Sequence, residues 1–540
     1  DSFSNPVLRG GVIGFQATLT GGGVGPAQDS GIWVGSIGSP SLVAREGSPA
    51  PDTNAAFGEF LGGVPKINEL GYAAFSARLV GPGVTADDDT GSWTNTSGFL
   101  RLIAREGDPA PGVAAGVFIA EGFSAPPSRP SMDMNNAGEI TFRANVTGAS
   151  VTINNENALW IHRNGALELV VREGDPVPPG LPPVYQTYSP LFGAEINDLG
   201  DIAFLGAIVG NTPEFAIWAG DPAAPTLSAV ELGLAPNVPG GDLIAWAFLS
   251  WTPALSAVGE IAFLGHLDTS FPGTDASNNR GIWAGPPDNL SLVLRSGNPA
   301  PDSDPGVQLA ILGSGVTINS HGGIALRAQL TGAGVTTEND WCLLSGTRTN
   351  VEMLVREGDP APGAGPGVVF SGFSAVGENT PALNEAGQVA FFTTLAGSGV
   401  TIDSDRSLWI ADDDGALFLI AREGDLFDVD DTIGEDLRTI TEISFATSSR
   451  QHTNGFNDAG QVAFMLAFAD GSEGIFVAEI DPSSGCPADL NGDGTVGSPD
   501  LGGLLGAWGP NPGDPADLDG DGSVGAADLG ALLGAWGPCP

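Results

Sequence analysis

The sequence predicts an all-β protein whose strands repeat as the blades of a propeller, and three recurring segments carry that prediction. The first is Asn-x-x-Gly-x-x-Ala-Phe, at Asn68 to Phe75, Asn197 to Phe204, Asn384 to Phe391 and Asn457 to Phe464. Looser copies run from Asn135 to Phe142, Ser256 to Phe263 and Asn319 to Leu326, and an eroded eighth ends at Phe15. The second, about eighteen residues on, is a strand carrying Trp33, Trp93, Trp160, Trp218, Trp283, Trp341 or Trp409, with Phe476 in the eighth place. The third ends Val-x-Arg-Glu-Gly-Asp-Pro-x-Pro and supplies Arg45, Arg105, Arg172, Arg295, Arg356 and Arg422, while the copy near Gly233 lacks the arginine.

Each segment has a local physical reading. Asn-x-x-Gly ahead of an alternating apolar run is a tight turn, because Gly and Asn tolerate positive φ. Small residues in runs such as Ala73-Ala74-Phe75 let neighbouring sheets approach closely. Pro-x-Pro cannot pair in a ladder and ends the arginine strand. A fourth, poorer strand, at Phe118 to Phe123 or Phe370 to Phe373, leads to the next turn. Four short strands per unit, with motif ends 59 to 73 residues apart, describe propeller blades. With Ser2 to Leu8 as the lead strand of the first unit there are eight four-stranded blades, and only the last lacks its arginine strand. Seven blades closed by surplus strands is the runner-up, and an open solenoid the third choice.

Composition agrees. Gly (81) and Pro (42) make up about a quarter of the 540 residues, yet 41% are hydrophobic and mean hydropathy is +0.10. Many turns between many short apolar strands fit these values better than disorder does. A net charge of −45 repels phosphate backbones and anionic lipid, which argues against nucleic-acid or membrane-surface partners. No apolar run is long enough to span a bilayer. The start, Asp-Ser-Phe-Ser-Asn, shows no leader, and the expectation is a secreted, extracellular or cell-surface protein whose signal peptide has been removed.

The residues from Gly485 to Pro540 hold a different motif, written twice: Pro-Ala-Asp-Leu-Asn-Gly-Asp-Gly from Pro487 and Pro-Ala-Asp-Leu-Asp-Gly-Asp-Gly from Pro515. In twelve-residue calcium-loop spacing, Asp489, Asn491 and Asp493 stand at positions 1, 3 and 5, Thr495 offers its carbonyl at 7, and Asp500 closes at 12. Asp517, Asp519, Asp521, Ser523 and Asp528 repeat the pattern 28 residues on. Hard cations take six to eight oxygens, and alternating aspartates with a carbonyl and water supply them. Two Ca2+ ions are therefore expected. Each loop feeds a short helix with an apolar stripe, Leu501, Leu504, Leu505 and Trp508 in one and Leu529, Leu532, Leu533 and Trp536 in the other, expected to bury against its twin. Cys486 and Cys539 bracket the module and are read as a disulfide, whereas Cys342 is read as buried and inert. The organisation is then a repeat propeller over 1–478, a linker over 479–485 and a calcium-binding module over 486–540.

The repeat resembles the bacterial tandem-repeat family named for its Asn-x-x-Gly-x-x-Ala-Phe motif, with its companion Arg-Glu-Gly-Asp-Pro-x-Pro segment. That resemblance implies secreted or surface proteins with varied C-terminal anchors, and no particular activity. The tail resembles a type I dockerin of the Gly-Cys-initiated kind, matching Gly485-Cys486. It implies attachment to a cohesin-like partner through loop positions 10 and 11, which here are Ser498-Pro499 and Ala526-Ala527. Because these differ from the usual hydroxyl pair, another surface receptor is an equal expectation.

The reading leans against an enzyme. One arginine and one glutamate per blade suggest either a charged ring facing a ligand or, favoured here, side chains that pair with a neighbouring Glu or cap carbonyls at a blade edge. Catalysis needs unlike groups at one spot, and four histidines without paired spacing argue against a zinc site or a serine–histidine triad. The acidic loops at Asp87-Asp88-Asp89, Asn154-Asn155-Glu156, Glu338-Asn339-Asp340 and Asp403-Ser404-Asp405 are read as solvated turns, with weak calcium binding as the alternative. The leading expectation is a non-enzymatic surface or extracellular-assembly propeller carried by its calcium-folded tail. The alternatives are a dockerin-borne carbohydrate-active enzyme, which implies a glycan ligand, and a self-associating subunit of an extracellular polymer.

Overall fold

A computed structural model describes residues 2–120, 132–178, 187–209, 213–231, 233–238, 253–270, 272–373, 380–430, 436–447, 454–480, 488, 490, 495–511, 516–518 and 522–538. Eight antiparallel sheets follow one another along the chain, each built from consecutive strands. In the second, the lead strand Ala56–Ile67 pairs with the motif strand Ala73–Val80, which pairs with the tryptophan strand Thr90–Thr94, and the arginine strand Arg101–Arg105 lies outermost in this order. The same order recurs in the first seven blades, so the fold is an eight-bladed, all-β propeller. Blades 3 and 7 have five strands, because the lead strand is broken into Val117–Ile119 and Met132–Met134 in one and Val368–Gly372 and Ala382–Leu383 in the other. Both pieces pair with the same motif strand.

Blade 8 differs at its outer edge. Its strands are Leu426–Asp428, Leu437–Phe445, Gln461–Phe468 and Glu473–Glu479. The first of these belongs to the Arg422 segment and pairs with the lead strand, and no arginine strand follows among the described residues. In five earlier blades the same contact is a single bridge from the first proline of the segment to the next lead strand, such as Pro299 to Gln308.

Among the described residues, the ring closes between the first and last blades without exchanging a strand. Leu8 N–H donates to the Asn454 carbonyl at 3.0 Å, and Leu8, Ile13, Phe15 and Ala17 pack with Ala463, Ile475 and Val477. Closure thus rests on packing and a few hydrogen bonds, not on a sheet shared by the two chain ends.

The core lies between blades. Trp93, Trp160, Trp218, Trp283 and Trp409 are fully buried, each directly opposite the motif phenylalanine in the ladder. The rings of Phe75 and Trp93, Phe204 and Trp218, and Phe263 and Trp283 stack, with the Phe204 and Trp218 centroids 6.4 Å apart at 12°, whereas Phe142 and Trp160 are tilted by 43°. Aromatic cross-strand pairs of this kind contribute beyond their buried area. Trp93, Trp160 and Trp283 also donate their indole N–H to the carbonyls of Pro51, Pro111 and Pro236 in the preceding blade. Trp341 does not hold this place. It stands opposite Gln329 at the start of its strand, and Leu344 faces the motif Leu326. The ladder irregularity found at each such tryptophan falls here between Leu343 and Leu344, so leucine has replaced the aromatic pair.

Near the C-terminus, helices α1 (Ser498–Gly506) and α2 (Ala526–Gly534) pack together. Thr495-Val496 pairs with Gly537-Pro538, and Ser523-Val524 pairs with Gly509-Pro510. Each copy's loop strand is therefore completed by the end of the other copy. Ala488, Val496 and Leu504 meet their equivalents Ala516, Val524 and Leu532 in one core. The expected stripe is only half buried: Leu505, Trp508, Leu533 and Trp536 are each about half exposed. Two nine-residue helices present a narrow common face, and the loop valines fill the space the outer stripe would need.

Candidate functional site

Hydrogen bonds between motif turns link neighbouring blades in two runs, one from Asn68 to Ser256 and one from Asn319 to Gly10. Asn68 Oδ1 accepts from the N–H groups of Leu70 and Tyr72 in its own turn, while its Nδ2 donates to the carbonyls of Asn135 and Asn136 in the next blade. Asn135 then donates to Asn197 at 2.9 Å, Asn197 to Ser256 at 3.0 Å, Asn319 to Asn384 at 3.0 Å, Asn384 to Asn457 at 3.1 Å, and Asn457 to Gly10 at 2.6 Å. These residues are nearly inaccessible to solvent. Both functions need an amide, since a carboxylate could accept in the turn but not donate to the next blade. The glycine three residues on adopts positive φ, +81° at Gly71 and +83° at Gly200, which fixes it as glycine. A second rung lies one residue after four of these asparagines: Asn136 Oδ1, Asp198 Oδ1, Glu385 Oε2 and Asp458 Oδ1 accept backbone N–H groups from the preceding blade.

The six arginines hold loops of their own blades. Each donates Nε to a carbonyl in the loop between the motif and tryptophan strands of its own blade. Arg45 reaches Gln28, Arg105 Asp88, Arg172 Asn155, Arg295 Asn278, Arg356 Asn339 and Arg422 Ser404, all at 2.7–2.9 Å. The loops are tightened from within as well, by side-chain acceptors such as Asp88 Oδ1 for Thr85 N–H and Asn339 Oδ1 for Thr336 N–H. The acidic and amide residues in these loops thus serve as turn closers. Among the described residues no group of three or more His, Cys, Asp or Glu side chains is placed to hold a metal ion.

The glutamates that follow Arg105, Arg172, Arg356 and Arg422 are buried, as is Glu231 in blade 4, whereas Glu46 is half-buried and blade 5 has Ser296 in this place. Glu357 accepts from Trp341 N–H in its own blade and from Phe373 N–H in the next. Glu173 receives Asn157 N–H, and Glu231 receives Phe215 N–H. Burial pushes the carboxyls of Glu46, Glu173, Glu231 and Glu423 above the usual range, and that of Glu357 to about 7. Then Gly107, at φ +85°, donates to the Ile119 carbonyl of the next lead strand, as do its equivalents. Arg-Glu-Gly-Asp is therefore one connector: Arg holds its own loop, Glu its own tryptophan strand, and Gly-Asp the next blade.

His162 and His266 are lowered by burial and stand on different blades. Cys342 is buried, and its thiol is pushed up to about 12, chiefly by desolvation. In the tail, Asp500 and Asp528 are buried in the first turns of α1 and α2. Each accepts the N–H of the glycine before its helix, Gly497 at 2.7 Å and Gly525 at 2.6 Å. Asp517 Oδ2 accepts Gly522 N–H at 2.8 Å. Thr495 and Ser523 sit on the short crossed strands. Asp489, Asn491, Asp493, Asp519, Asp521, Cys486 and Cys539 lie outside the described residues.

The family described as "Family of unknown function (DUF7453)" matches residues 2–230 and again 181–482. The chain belongs to that family. Membership covers all eight blades and stops short of the duplicated tail. No curated protein matches the chain. Among solved structures it overlaps the β-propeller domain of the Trilobed protease from Pyrococcus furiosus, described as having an open velcro topology, at 8% identity and TM-score 0.35 over 88% of this chain and 94% of that one. A Mycobacterium tuberculosis puromycin-hydrolyzing peptidase overlaps at 12% identity and TM-score 0.34, covering 86% of this chain and 58% of that one. A Pyrococcus horikoshii acylaminoacyl peptidase does so at 9% and 0.35, covering 88% and 50%. The chain thus spans little more than half of these two peptidases, and overlaps this loose carry no argument about activity.

Proposed function

We propose that this chain is a non-enzymatic propeller displayed at a cell surface or in an extracellular assembly, attached through a dockerin-like tail that folds around two calcium ions. The observation that carries the reading is the pair of first-turn aspartates, Asp500 and Asp528, buried at equivalent places 28 residues apart and each held by a glycine N–H. A buried carboxylate with one oxygen fixed by a backbone donor fits the closing position of a calcium loop. With Asp489, Asn491, Asp493 and the Thr495 carbonyl, Asp500 would hold one ion; Asp517, Asp519, Asp521, the Ser523 carbonyl and Asp528 would hold the other. The ions would supply charge compensation for clustered carboxylates. Against catalysis stands the use of the repeated polar side chains, because the arginines, glutamates and asparagines described above are engaged in loop, strand and blade contacts. The partner of the tail is a cohesin-like or other surface receptor.

Calcium titration of the chelator-stripped full chain by calorimetry tests the tail. Two ions per chain are expected, with Asp500→Asn and Asp528→Asn each removing one. A chain that takes up no calcium refutes the reading.

A further inference from the structure

The motif turns are alike in backbone but not in what they show to solvent. Two residues after each Asn-type position stand Gly10, Leu70, Ala137, Leu199, Val258, His321, Ala386 and Ala459. Leu70 is 67% exposed, Leu199 69% and Val258 53%, with the smaller Ala137 exposed between them. The other half of the ring carries a glycine, two alanines and a histidine.

These four residues form one continuous arc. The residues immediately before them touch in succession: Glu69 N–H donates to Asn136 Oδ1 at 3.1 Å, and Asn136 N–H to Asp198 Oδ1 at 2.7 Å. Asn197 Nδ2 reaches the Ala257 carbonyl at 3.5 Å. Leu199 and Val258 stand on consecutive turns and Leu70 two turns from Leu199; because the turns are already hydrogen-bonded to one another, covering these side chains orders their rotamers but not their backbone. Single exposed apolar residues are ordinary, whereas a run of four exposed ones on successive turns, Leu70, Ala137, Leu199 and Val258, marks a contact surface.

Charge selects the occupant. The exposed carboxylates of Glu69, 3.9 Å from Arg9, and Asp198, which accepts from Asn136 N–H and Nδ2, border the arc, and the chain as a whole carries −45. A second copy would bring the same acidic rim, and anionic lipid or nucleic acid would be repelled as well. We infer that blades 2 to 5 present a docking surface for a cationic, amphipathic polypeptide segment, whose apolar side chains cover Leu70, Leu199 and Val258 and whose cations meet the carboxylates beside them. The inference concerns the propeller alone and does not depend on the tail or on calcium.

The test uses the full chain and a labelled synthetic helical peptide with leucine on one face and lysine on the other, followed by fluorescence anisotropy. Leu70→Ser, Leu199→Ser and Val258→Ser are combined in one variant. A control variant replaces Ile153 and Ile402, which are 78% and 84% exposed elsewhere, with serine. Covering three large side chains accounts for at least about tenfold in affinity, so the arc variant is expected to bind at least about tenfold more weakly while the control binds as the parent does. Raising salt from about 50 to about 500 mM is expected to weaken parental binding severalfold. Unchanged affinity in the arc variant, an equal loss in the control, or insensitivity to salt would each overturn the proposal.

Discussion

Blades 4 and 8 differ from the other six in two ways that go together. Their motif and tryptophan strands are joined by short connections, Val209 to Pro213 and Phe468 to Glu473. They are also the blades without the arginine: the blade 4 strand ends at Val230, followed directly by Glu231, and among the described residues blade 8 shows no such strand. Every blade with the arginine has a long connection, from Thr18 to Ser30, Val80 to Thr90, Gly148 to Asn157, His266 to Arg280, Gly332 to Trp341 or Gly397 to Arg406. The arginine is a staple for the loop, and it disappears where there is no loop to hold. The buried glutamate behaves differently. Glu231 persists in blade 4, because its task is to receive Phe215 N–H at the start of the tryptophan strand, and that strand is still there.

The asparagine links run through both classes of blade, so their loss should not respect the difference between them. Asn197→Asp in blade 4 and Asn384→Asp in blade 7 each remove a donor and bury a charge, at a cost of about 3 kcal/mol or more. Urea denaturation should show equal losses, and a loss confined to blade 7 would break the comparison. Next in size is the replaced aromatic of blade 6. Leu344→Ala should cost about 3 kcal/mol, as large-to-small changes in a packed core do, while Trp341→Ala at the partly exposed strand start costs less. The reverse order would put the tryptophan back in register.

The smallest effect is the pH dependence from the buried glutamates. Their folded pKa values lie above the unfolded ones, so the native state holds more protons than the unfolded chain between the two. Stability is then greatest at or below the unfolded carboxylate pKa and declines as pH rises through the folded values, to about 7 for Glu357. Thermal melts should show a higher midpoint at pH 5 than at pH 7.5, about these two values serving as brackets, and Glu357→Gln should flatten that slope. Blade 5 has Ser296 in this place, so Ser296→Ala should leave the slope as it is.

Much of this was legible in the sequence because the repeats are local. The turn glycines, the strand-ending prolines and the motif spacing gave eight blades, and the missing arginine strand of the last one. Trp341 was misassigned because a tryptophan three residues from the repeat position outweighs a leucine at it, and only the ladder irregularity shows which is equivalent. For the arginine, the sequence favours carbonyl capping or a Glu pair over a charged ring facing a ligand, but its partner loop lies about seventeen residues back, and the pairing needs the sheet. The asparagine links were unreadable for the same reason, since each joins residues 59 to 73 apart until the last closes on Gly10. In the tail, helix positions were plain from periodicity, whereas the crossed strands that leave Trp508 and Trp536 half exposed were not.

The central claim is that the arginine exists for the loop. A double-mutant cycle in blade 6 tests it, combining Arg356→Ala with replacement of residues 333–340 by the Ala469-Asp470-Gly471-Ser472 turn of blade 8. In the parent, losing a charge-assisted bond to the Asn339 carbonyl should cost about 1.5 kcal/mol; in the short-loop background the same substitution should cost less than about 0.5 kcal/mol. An equal cost in both backgrounds would contradict the account.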